Sequence, residues 1–348
     1  MNIREVLETV ESASVASDLF GPVSHDVAPR RAMKRRYYRL VSVIHPDRVC
    51  LGDVARSAAA TARLNELYGI WVAQADSMNI GPVYIGERGE YRLGGSVASG
   101  SVSELYGARD QSGTSVVLKI PRDCRANSMI EAERNALGDI AHSGNSGWSV
   151  FYFPRLVDRV SHHDNVSGER REINVLNDLT GEFLTLSDVL AAYPNGLDPR
   201  DWAWMHRRLL RTLAVAHAQG WVHTAITADN ILIHPDLHGV VLAGWSFATR
   251  PGDRPVATIA SAHPSYPPEL GGSVTPAWDV YMAHQLMSTM LGDRIPSRMK
   301  AFALGCMQSN PRLRPGAVDL LGEFDELLDL LHGERTFRVF TVPSTNWY

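Results

Sequence analysis

Near the N-terminus, an imidazole and a carboxylate stand on either side of a proline, as His45, Pro46 and Asp47. Four cations precede this tripeptide within a helical pattern: Lys34, Arg35, Arg36 and Arg39. The proline stops the helix because it lacks an N–H and restricts the residue before it. A rigid turn that presents these groups beside a cationic helix suits docking on an acidic protein surface. Alternatively, Asp47 only caps the following turn and the cations form a solvated helix face.

Two amphipathic helices are expected on either side of this turn. The first carries apolar side chains at i, i+3, i+4 and i+7, the spacing of one buried stripe: Tyr37, Leu40, Val41 and Ile44. The second helix repeats that spacing: Leu64, Leu67, Tyr68 and Trp71. We therefore expect the two helices to pair through these stripes, with the turn at one end of the pair.

The basic helix, the HPD turn and a downstream N-E-x-Y pattern at 65–68 together resemble the J domain of the DnaJ/Hsp40 co-chaperones. The resemblance implies a small all-α domain over residues 1–78, a helical hairpin with an HPD loop. It also implies that His45, Pro46 and Asp47, with the basic helix, dock on an Hsp70 of the DnaK type and stimulate its ATPase. The stretch DLFGPVSHD matches the first helix and turn of the family only loosely.

A second segment, residues 91–335, resembles a eukaryotic-type protein kinase in the order of its motifs. The run VVLK ends at Lys119, at the place of the family's ATP-pairing lysine, and Glu133 in IEAERNAL stands at the place of its glutamate partner. The resemblance implies an α+β bilobal fold, with a small lobe at 91–180 and a large lobe at 181–335.

The glycine-rich loop of that family falls on residues 98–105. Gly100 is the one glycine left of the three expected. Close approach of backbone N–H groups to phosphates needs glycine, so this loop is expected to cradle phosphates poorly.

The catalytic positions of the kinase pattern carry residues that lack the expected charged side chains. In WVHTAITADNILI, Ala225 replaces the catalytic aspartate and Thr227 replaces the phosphate-binding lysine, whereas Asn230 remains. In VVLAGWSFAT, Gly244 replaces the magnesium-binding aspartate. No carboxylate is left to accept the proton of a substrate hydroxyl, and one asparagine makes a poor magnesium site. If a nucleotide binds through Gly100, Lys119, Glu133 and Asn230, we expect weak binding with little dependence on magnesium.

The structural positions of the pattern are better preserved. Glu269 follows two prolines in the place of the A-P-E turn, and Arg314 stands where its arginine partner is expected. We expect these two side chains to form an ion pair inside the large lobe. Asp279, in the run WDVY, matches the aspartate that holds the catalytic loop.

These patterns predict a non-enzymatic co-chaperone whose J domain recruits an Hsp70 and whose pseudokinase module binds or scaffolds an unidentified client protein. No cofactor or metal is required. Two alternatives remain open. One is a divergent active serine/threonine kinase that uses Asp229 or Asp236, and the other is a nucleotide sensor without turnover.

Composition limits the partners. The formal net charge is -4, so the whole molecule has no electrostatic attraction for nucleic acid or an anionic membrane. The cysteines Cys50, Cys124 and Cys306 are too few and too far apart for a disulfide framework or a zinc site. The N-terminal segment is acidic rather than signal-like, and no apolar run is long enough to span a bilayer. We therefore expect a cytoplasmic protein.

The remaining segments have simpler interpretations. A linker is expected at 79–90, and the tail at 336–348 has a strand-like pattern without an assigned role. The sequence His162, His163 and Asp164 is expected to form a solvated turn between strands rather than a metal site. Trp202 and Trp204 are expected to pack in the large-lobe core. Cys306 is expected to be a buried apolar residue.

Overall fold

The structure is a computed structural model, and it describes residues 3–23, 27–45, 54–77, 81–142, 149–164, 167–334 and 336–342. Pro46, Asp47 and Cys50, which the sequence singled out, lie outside these ranges. Among the helices of the described ranges, none has the length and apolar character needed to cross a membrane.

The N-terminal part is a helical module. Its helices are α1 (Ile3–Ser12), α2 (Ala16–Phe20), α3 (Val27–Ile44) and α4 (Val54–Ser77). The apolar stripes expected from the sequence meet in its core, where five of their members are buried: Leu40, Ile44, Leu64, Leu67 and Trp71. Helix α2 adds Leu19 and Phe20 to this core, so burial of apolar area holds the four helices together.

Helices α3 and α4 run antiparallel. The last carbonyl of α3, that of Ile44, accepts hydrogen bonds from the hydroxyls of Ser57 and Thr61 near the start of α4. Two turns earlier in α3, Tyr37 donates its hydroxyl to Asn65 Oδ1 at 2.9 Å and stacks on Tyr68 at 4.2 Å between ring centroids. The end of α3 thus contacts the start of α4, and an earlier part of α3 contacts a later part of α4. The two helices therefore form a hairpin.

The small lobe is an antiparallel sheet in the order β1-β2-β3-β4-β6-β5. Its strands are β1 (Val83–Ile85), β2 (Glu90–Ser99), β3 (Ser103–Asp110), β4 (Ser115–Pro121), β5 (Leu156–His163) and β6 (Arg170–Asn177). Helix α5 (Asn127–His142) packs against β5 and β6.

Two sequence-based expectations in this lobe are wrong. The expected linker at 79–90 contains β1, which pairs with β2 in the register Val83↔Arg92. Three residues between glycines are too short to show a strand alternation. His162 and His163 lie in β5, paired with Arg171 and Arg170, instead of in a turn. The polar side chains gave no apolar pattern from which a strand could be predicted, because this strand lies at the sheet edge, where one face meets solvent.

The large lobe contains a small sheet and a group of helices. The strands are β7 (Leu184–Thr185), β8 (Ile231–His234) and β9 (Gly239–Leu242). The helices are α6 (Leu186–Ala192), α7 (Pro199–Ala218), α8 (Pro276–Leu291), α9 (Ser297–Cys306) and α10 (Ala317–His332). Trp202 and Cys306 are buried in its core, whereas Trp204 is only partly buried. The hinge segment, residues 178–183, joins β6 to β7.

Residues 336–342, the described part of the tail, do not form the strand that the alternating pattern suggested. Residues 336–342 have irregular backbone and lie against the large lobe. Phe340 is 3% exposed, whereas its neighbour Val339 is 73% exposed. The alternation therefore separates a side that faces the lobe from a side that faces solvent, without a partner strand.

Candidate functional site

A cleft of about 680 Å³ lies between the two lobes. The turn between β2 and β3 lines it from the small lobe, and residues 226–230 and 243–247 line it from the large lobe. Three residues of the hinge segment, Leu179, Thr180 and Phe183, line it as well. The structure thus brings together Gly100, Lys119, Asn230 and Gly244, which the sequence placed in one site.

Inside this cleft, Lys119 and Glu133 form a buried ion pair. The Lys119 Nζ lies 2.7 Å from Glu133 Oε1, and the two residues are 6% and 1% exposed. The second carboxylate oxygen of Glu133 accepts a hydrogen bond from Asn174 Nδ2 at 3.1 Å. Both oxygens of Glu133 are therefore bonded to groups of the small lobe itself.

The β2–β3 turn is fastened to the end of β4. Gly100 N donates to Ser103 O, and a Cβ at Gly100 would lie 3.1 Å from that same oxygen, so this glycine allows the tight turn. Arg122 N donates to Val102 O at 3.0 Å, and the Arg122 guanidinium lies 2.6 Å from Glu104 Oε1. The one glycine that remains here serves the turn, and the tip of the turn is held down.

The tip of this turn belongs to an apolar cluster that spans both lobes. We call it the interlobe apolar cluster, and its members are Val102, Met129, Ala225, Phe247, Ala257 and Ile259. Ala225, at the position expected for the catalytic base, is fully buried in it. A carboxylate at that position would be surrounded by apolar groups, which is unfavourable for a charge.

Gly244, at the position expected for the magnesium ligand, is covered by a neighbouring side chain. Gly244 has a φ of +81°, and a Cβ there would overlap the side chain of Asn230. Asn230 Nδ2 in turn donates to Ala225 O at 2.8 Å. The amide of Asn230 therefore lies over Gly244 and is bonded within the loop. Among the described residues, no group of three His, Cys, Asp or Glu side chains could hold a metal ion.

Asp279 holds the loop that contains Ala225. This fully buried carboxylate accepts backbone N–H groups from His223 and Thr224, each at 2.8 Å, and lies 3.0 Å from His217 Nε2. Burial lowers the pKa of His223, so the ring is neutral. Its Nδ1 accepts from Ala225 N, which leaves Nε2–H to donate to Ala243 O at 2.8 Å.

Thr224 was not singled out by the sequence. It has a φ of 60°, in the left-handed region that a β-branched residue rarely adopts. Its buried hydroxyl donates to Phe247 O at 2.7 Å, which connects this loop to the segment after Gly244. The strained backbone is thus maintained by bonds that fix the two segments to each other.

Glu269 and Arg314 form a bidentate ion pair. The two nitrogen–oxygen distances are 2.6 and 2.8 Å, and the Arg314 side chain is fully buried. Arg314 also donates to the carbonyls of Gln308 and Ala277. This pair therefore joins the turn before α8 to the segment before α10.

Of the remaining candidate positions, Thr227 and Asp229 line the cleft, whereas Asp236 is not among its lining residues. Thr227 begins the short turn at 228–230 and makes no capping bond with its side chain. Asp229 lies at the cleft rim, where it accepts the hydroxyl of Ser187. Asp236 is exposed in the turn between β8 and β9.

The predicted docking residues of the N-terminal module differ in exposure and in their contacts. His45 follows α3 and is partly buried, and Arg35 is partly buried as well. Arg36 and Arg39 are exposed. Lys34 instead lies against the hinge segment, where a Cβ at Gly181 would overlap its side chain. The structure therefore separates Lys34 from Arg36 and Arg39.

Comparisons with known proteins identify the fold of the larger part. No protein-family model matches the chain, and no curated protein matches it. The structure is similar to the solved structure of vaccinia related kinase 3, with a TM-score of 0.56 and 18% sequence identity. The match covers 73% of this chain and 92% of that one. The chain therefore contains a protein kinase-like fold, whereas none of these comparisons identifies a J domain.

The sequence did not indicate the interlobe apolar cluster. Val102, Ala225 and Phe247 are separated by 20 residues or more along the chain, and no local pattern connects them. The signal available in the sequence was an apolar residue, Val102, in a turn expected to be made of glycines.

Proposed function

We propose that the kinase-like module is a pseudokinase, a binding or scaffolding module that does not transfer phosphate. The observation that carries this proposal is the burial of Ala225 in the interlobe apolar cluster. Phosphoryl transfer depends on positioned metal ions and on stabilisation of charge at the reacting phosphate. Apolar groups at that place supply neither.

The remaining polar groups of the cleft support the same proposal. A magnesium polyphosphate needs carboxylate oxygens for the metal. The Lys119–Glu133 pair is also found in kinases that hold nucleotide phosphates, but Gly244 offers no carboxylate for the metal and the Asn230 amide is bonded to Ala225 O. These residues do not fit a magnesium-bound triphosphate, although the cleft volume leaves room for a smaller ligand.

A phosphate-transfer assay tests this part of the proposal. The purified full chain is incubated with radiolabelled ATP, magnesium or manganese and generic protein substrates, beside the variant Lys119→Ala. We expect no labelled protein above the level of the variant. Transfer that depends on Lys119 would place the chain among the divergent active kinases.

We propose further that the N-terminal module acts as a J domain. The antiparallel hairpin of α3 and α4, the position of His45 at the end of α3, and the exposed Arg36 and Arg39 support this proposal. In this role the module recruits an Hsp70 of the DnaK type and stimulates its ATPase, and the kinase-like module binds the client.

Hsp70 ATPase measurements test this second part. The full chain is added to a bacterial DnaK-type Hsp70 and the steady-state rate of ATP hydrolysis is recorded. We expect stimulation by the wild type, loss of stimulation in His45→Gln and Asp47→Asn, and unchanged stimulation in Arg4→Gln, a control in the exposed part of α1. Equal rates with all four proteins would refute the co-chaperone role.

A further inference from the structure

The C-terminal tail is seated on the large lobe through specific side-chain contacts. It follows α10 after Gly333, whose φ is +68°, and lies along a surface that we call the tail groove. The residues that form the groove are Tyr193, Asp198, Asp201, Trp204 and His238.

Phe340 is the deepest contact of the tail. Its ring centroid lies 6.1 Å from that of Tyr193 and 5.8 Å from that of Trp204. The hydroxyl of Tyr193 donates to the carbonyl of Thr341, the next residue of the tail. One aromatic side chain is thus held together with the backbone that follows it.

Arg338 supplies a cation to two carboxylates of the groove. Its guanidinium lies 3.1 Å from Asp198 Oδ2 and 3.3 Å from Asp201 Oδ1. Asp201 is 5% exposed, and burial raises the pKa of its carboxyl. Without Arg338 the buried Asp201 would lose its ion-pair partner and Asp198 would keep only the more distant Arg294, at 3.9 Å, so the groove is chemically complementary to a cation.

Phe337 completes a stack of three rings. Its ring lies 4.5 Å from the imidazole of His238, which stacks on Trp204 at 4.2 Å with an angle of 6° between planes. His238 has a φ of 53°, a conformation that is uncommon for a residue other than glycine. The groove therefore offers aromatic side chains to Phe337 and Phe340, with Trp204 taking part at both places, and an acidic pair to Arg338.

The tail has the character of a bound peptide more than that of a core element. Phe337 and Val339 are 72% and 73% exposed, and only Phe340 is buried. Residues 336–342 have no helix or strand of their own, and they contact the groove through the side chains of Phe337, Arg338 and Phe340, as an extended ligand would.

We propose that the tail groove is a peptide-recognition site for extended segments with the pattern aromatic, cation, any residue, aromatic. The tail occupies the site in cis through Phe337, Arg338 and Phe340. A partner protein that carries the same pattern displaces the tail and binds in its place. This site lies outside the interlobe cleft and is independent of the proposed Hsp70 contact.

Peptide binding to a shortened chain tests the proposal. The probe is a fluorescent synthetic peptide of residues 334–342, and its anisotropy is measured with the full chain and with a chain that ends at residue 335. We expect saturable binding to the shortened chain and at least about tenfold weaker binding to the full chain, where the tail competes. Circular dichroism establishes that the shortened chain is folded.

Matched variants test the recognition pattern. A peptide with Arg338→Glu is expected to bind about tenfold more weakly or worse, because it places a third carboxylate beside Asp198 and Asp201. In the shortened chain, Asp198→Asn should weaken binding of the unmodified peptide, whereas Asp319→Asn, an exposed carboxylate of α10, should not. If the shortened chain is folded but does not bind the unmodified peptide, the tail serves only as a structural part of the large lobe, and the proposal is overturned.

A second form of the experiment keeps the tail present. A protease site replaces residues 334–336 in the full chain, and the folded protein is then cut. We expect the tail fragment to stay bound and to be released by excess peptide of residues 334–342, but not by the Arg338→Glu peptide. Immediate release of the tail fragment on cleavage would contradict the proposal. So would a tail fragment that excess peptide does not displace. Dimers joined by exchanged tails in sedimentation experiments would contradict occupancy in cis.

Discussion

At the scale of single residues, the packing around Ala225 bears on the proposed absence of phosphate transfer. Ala225 is fully buried, and its neighbours in the interlobe apolar cluster are apolar side chains. An aspartate at this position would therefore place a charge among apolar groups. In the proposed pseudokinase the loss of the base is coupled to this packing, so we expect that a single reversion does not return the chemistry.

The variant Ala225→Asp should be folded less stably and remain inactive. We expect a decrease in the free energy of unfolding of about 3 kcal/mol, with a smaller decrease at pH 5 than at pH 8, because a protonated carboxyl is less costly to bury. Urea unfolding at the two pH values measures it, with Ala301→Asp on the exposed side of α9 as the control. A fully stable variant that gains phosphate transfer would contradict this account.

Lys119 and Glu133 provide a second test at this scale. If their pair is structural, Lys119→Met leaves a buried carboxylate without its cation and should cost about 3–5 kcal/mol. The double variant Lys119→Met/Glu133→Leu should recover much of that loss, and Lys300→Met, at an exposed lysine, should cost little. These values come from chemical unfolding. Single and double variants of equal stability would mean that the pair is not a structural element.

At the scale of elements, α3 is where the proposed Hsp70 contact can be examined. Arg36 and Arg39 are exposed on this helix, whereas Lys34 lies against the hinge segment. The exposed arginines, and not Lys34, are therefore expected to carry the charge-dependent part of docking.

The double variant Arg36→Glu/Arg39→Glu should lower the association rate with an Hsp70, and the wild-type rate should fall as salt is added. The reason is that attraction between exposed charges is screened over about 8 Å at physiological ionic strength. Stopped-flow association at several salt concentrations measures both effects, with Arg4→Glu, an exposed charge reversal in α1, as the control. Rates that do not change with salt would point to an apolar contact.

Helices α7 and α8 are joined by a buried histidine pair with a consequence for pH. His206 Nε2 lies 3.3 Å from His284 Nε2, and both residues are fully buried. Burial lowers the pKa of His284 to about 4 and holds that of His206 well below the ordinary value of a histidine. His284 Nδ1 bonds the Val280 carbonyl, so the neutral rings share one hydrogen bond between them.

Stability should therefore fall as the pH decreases below about 6.5. Above that pH both states hold neutral rings. Below it the unfolded chain binds protons that the folded chain resists, which costs about 2 kcal/mol for one such histidine at pH 5. Urea unfolding between pH 7.5 and 5 measures this loss of stability. The free energy of unfolding should fall less with decreasing pH in His206→Leu/His284→Met than in the wild type. In the exposed control His263→Leu it should fall as steeply as in the wild type. Identical slopes in all three proteins would refute the assignment.

At the scale of the whole molecule, what the sequence predicted depended on how local the signal was. The stripes that contain Leu40 and Leu64 follow helical periodicity, and the kinase-like fold follows from motifs in a fixed order. The interlobe apolar cluster and the tail groove join residues that are far apart in the chain, such as Val102 with Phe247 and Asp201 with Arg338. Such contacts leave no periodic pattern, so only the three-dimensional structure contains them.

The interlobe apolar cluster also bears on how this molecule could act as a signal. An enzyme with two lobes has to open in order to release its product. Here the partly buried Val102 from one lobe packs in the same cluster as the buried Phe247 from the other, and separating them would expose apolar area at about 25 cal/mol per Å². The closed form is therefore favoured without any nucleotide. A partner that recognises this shape would meet it constantly, so its response would follow the amount of the protein and not the energy charge of the cell.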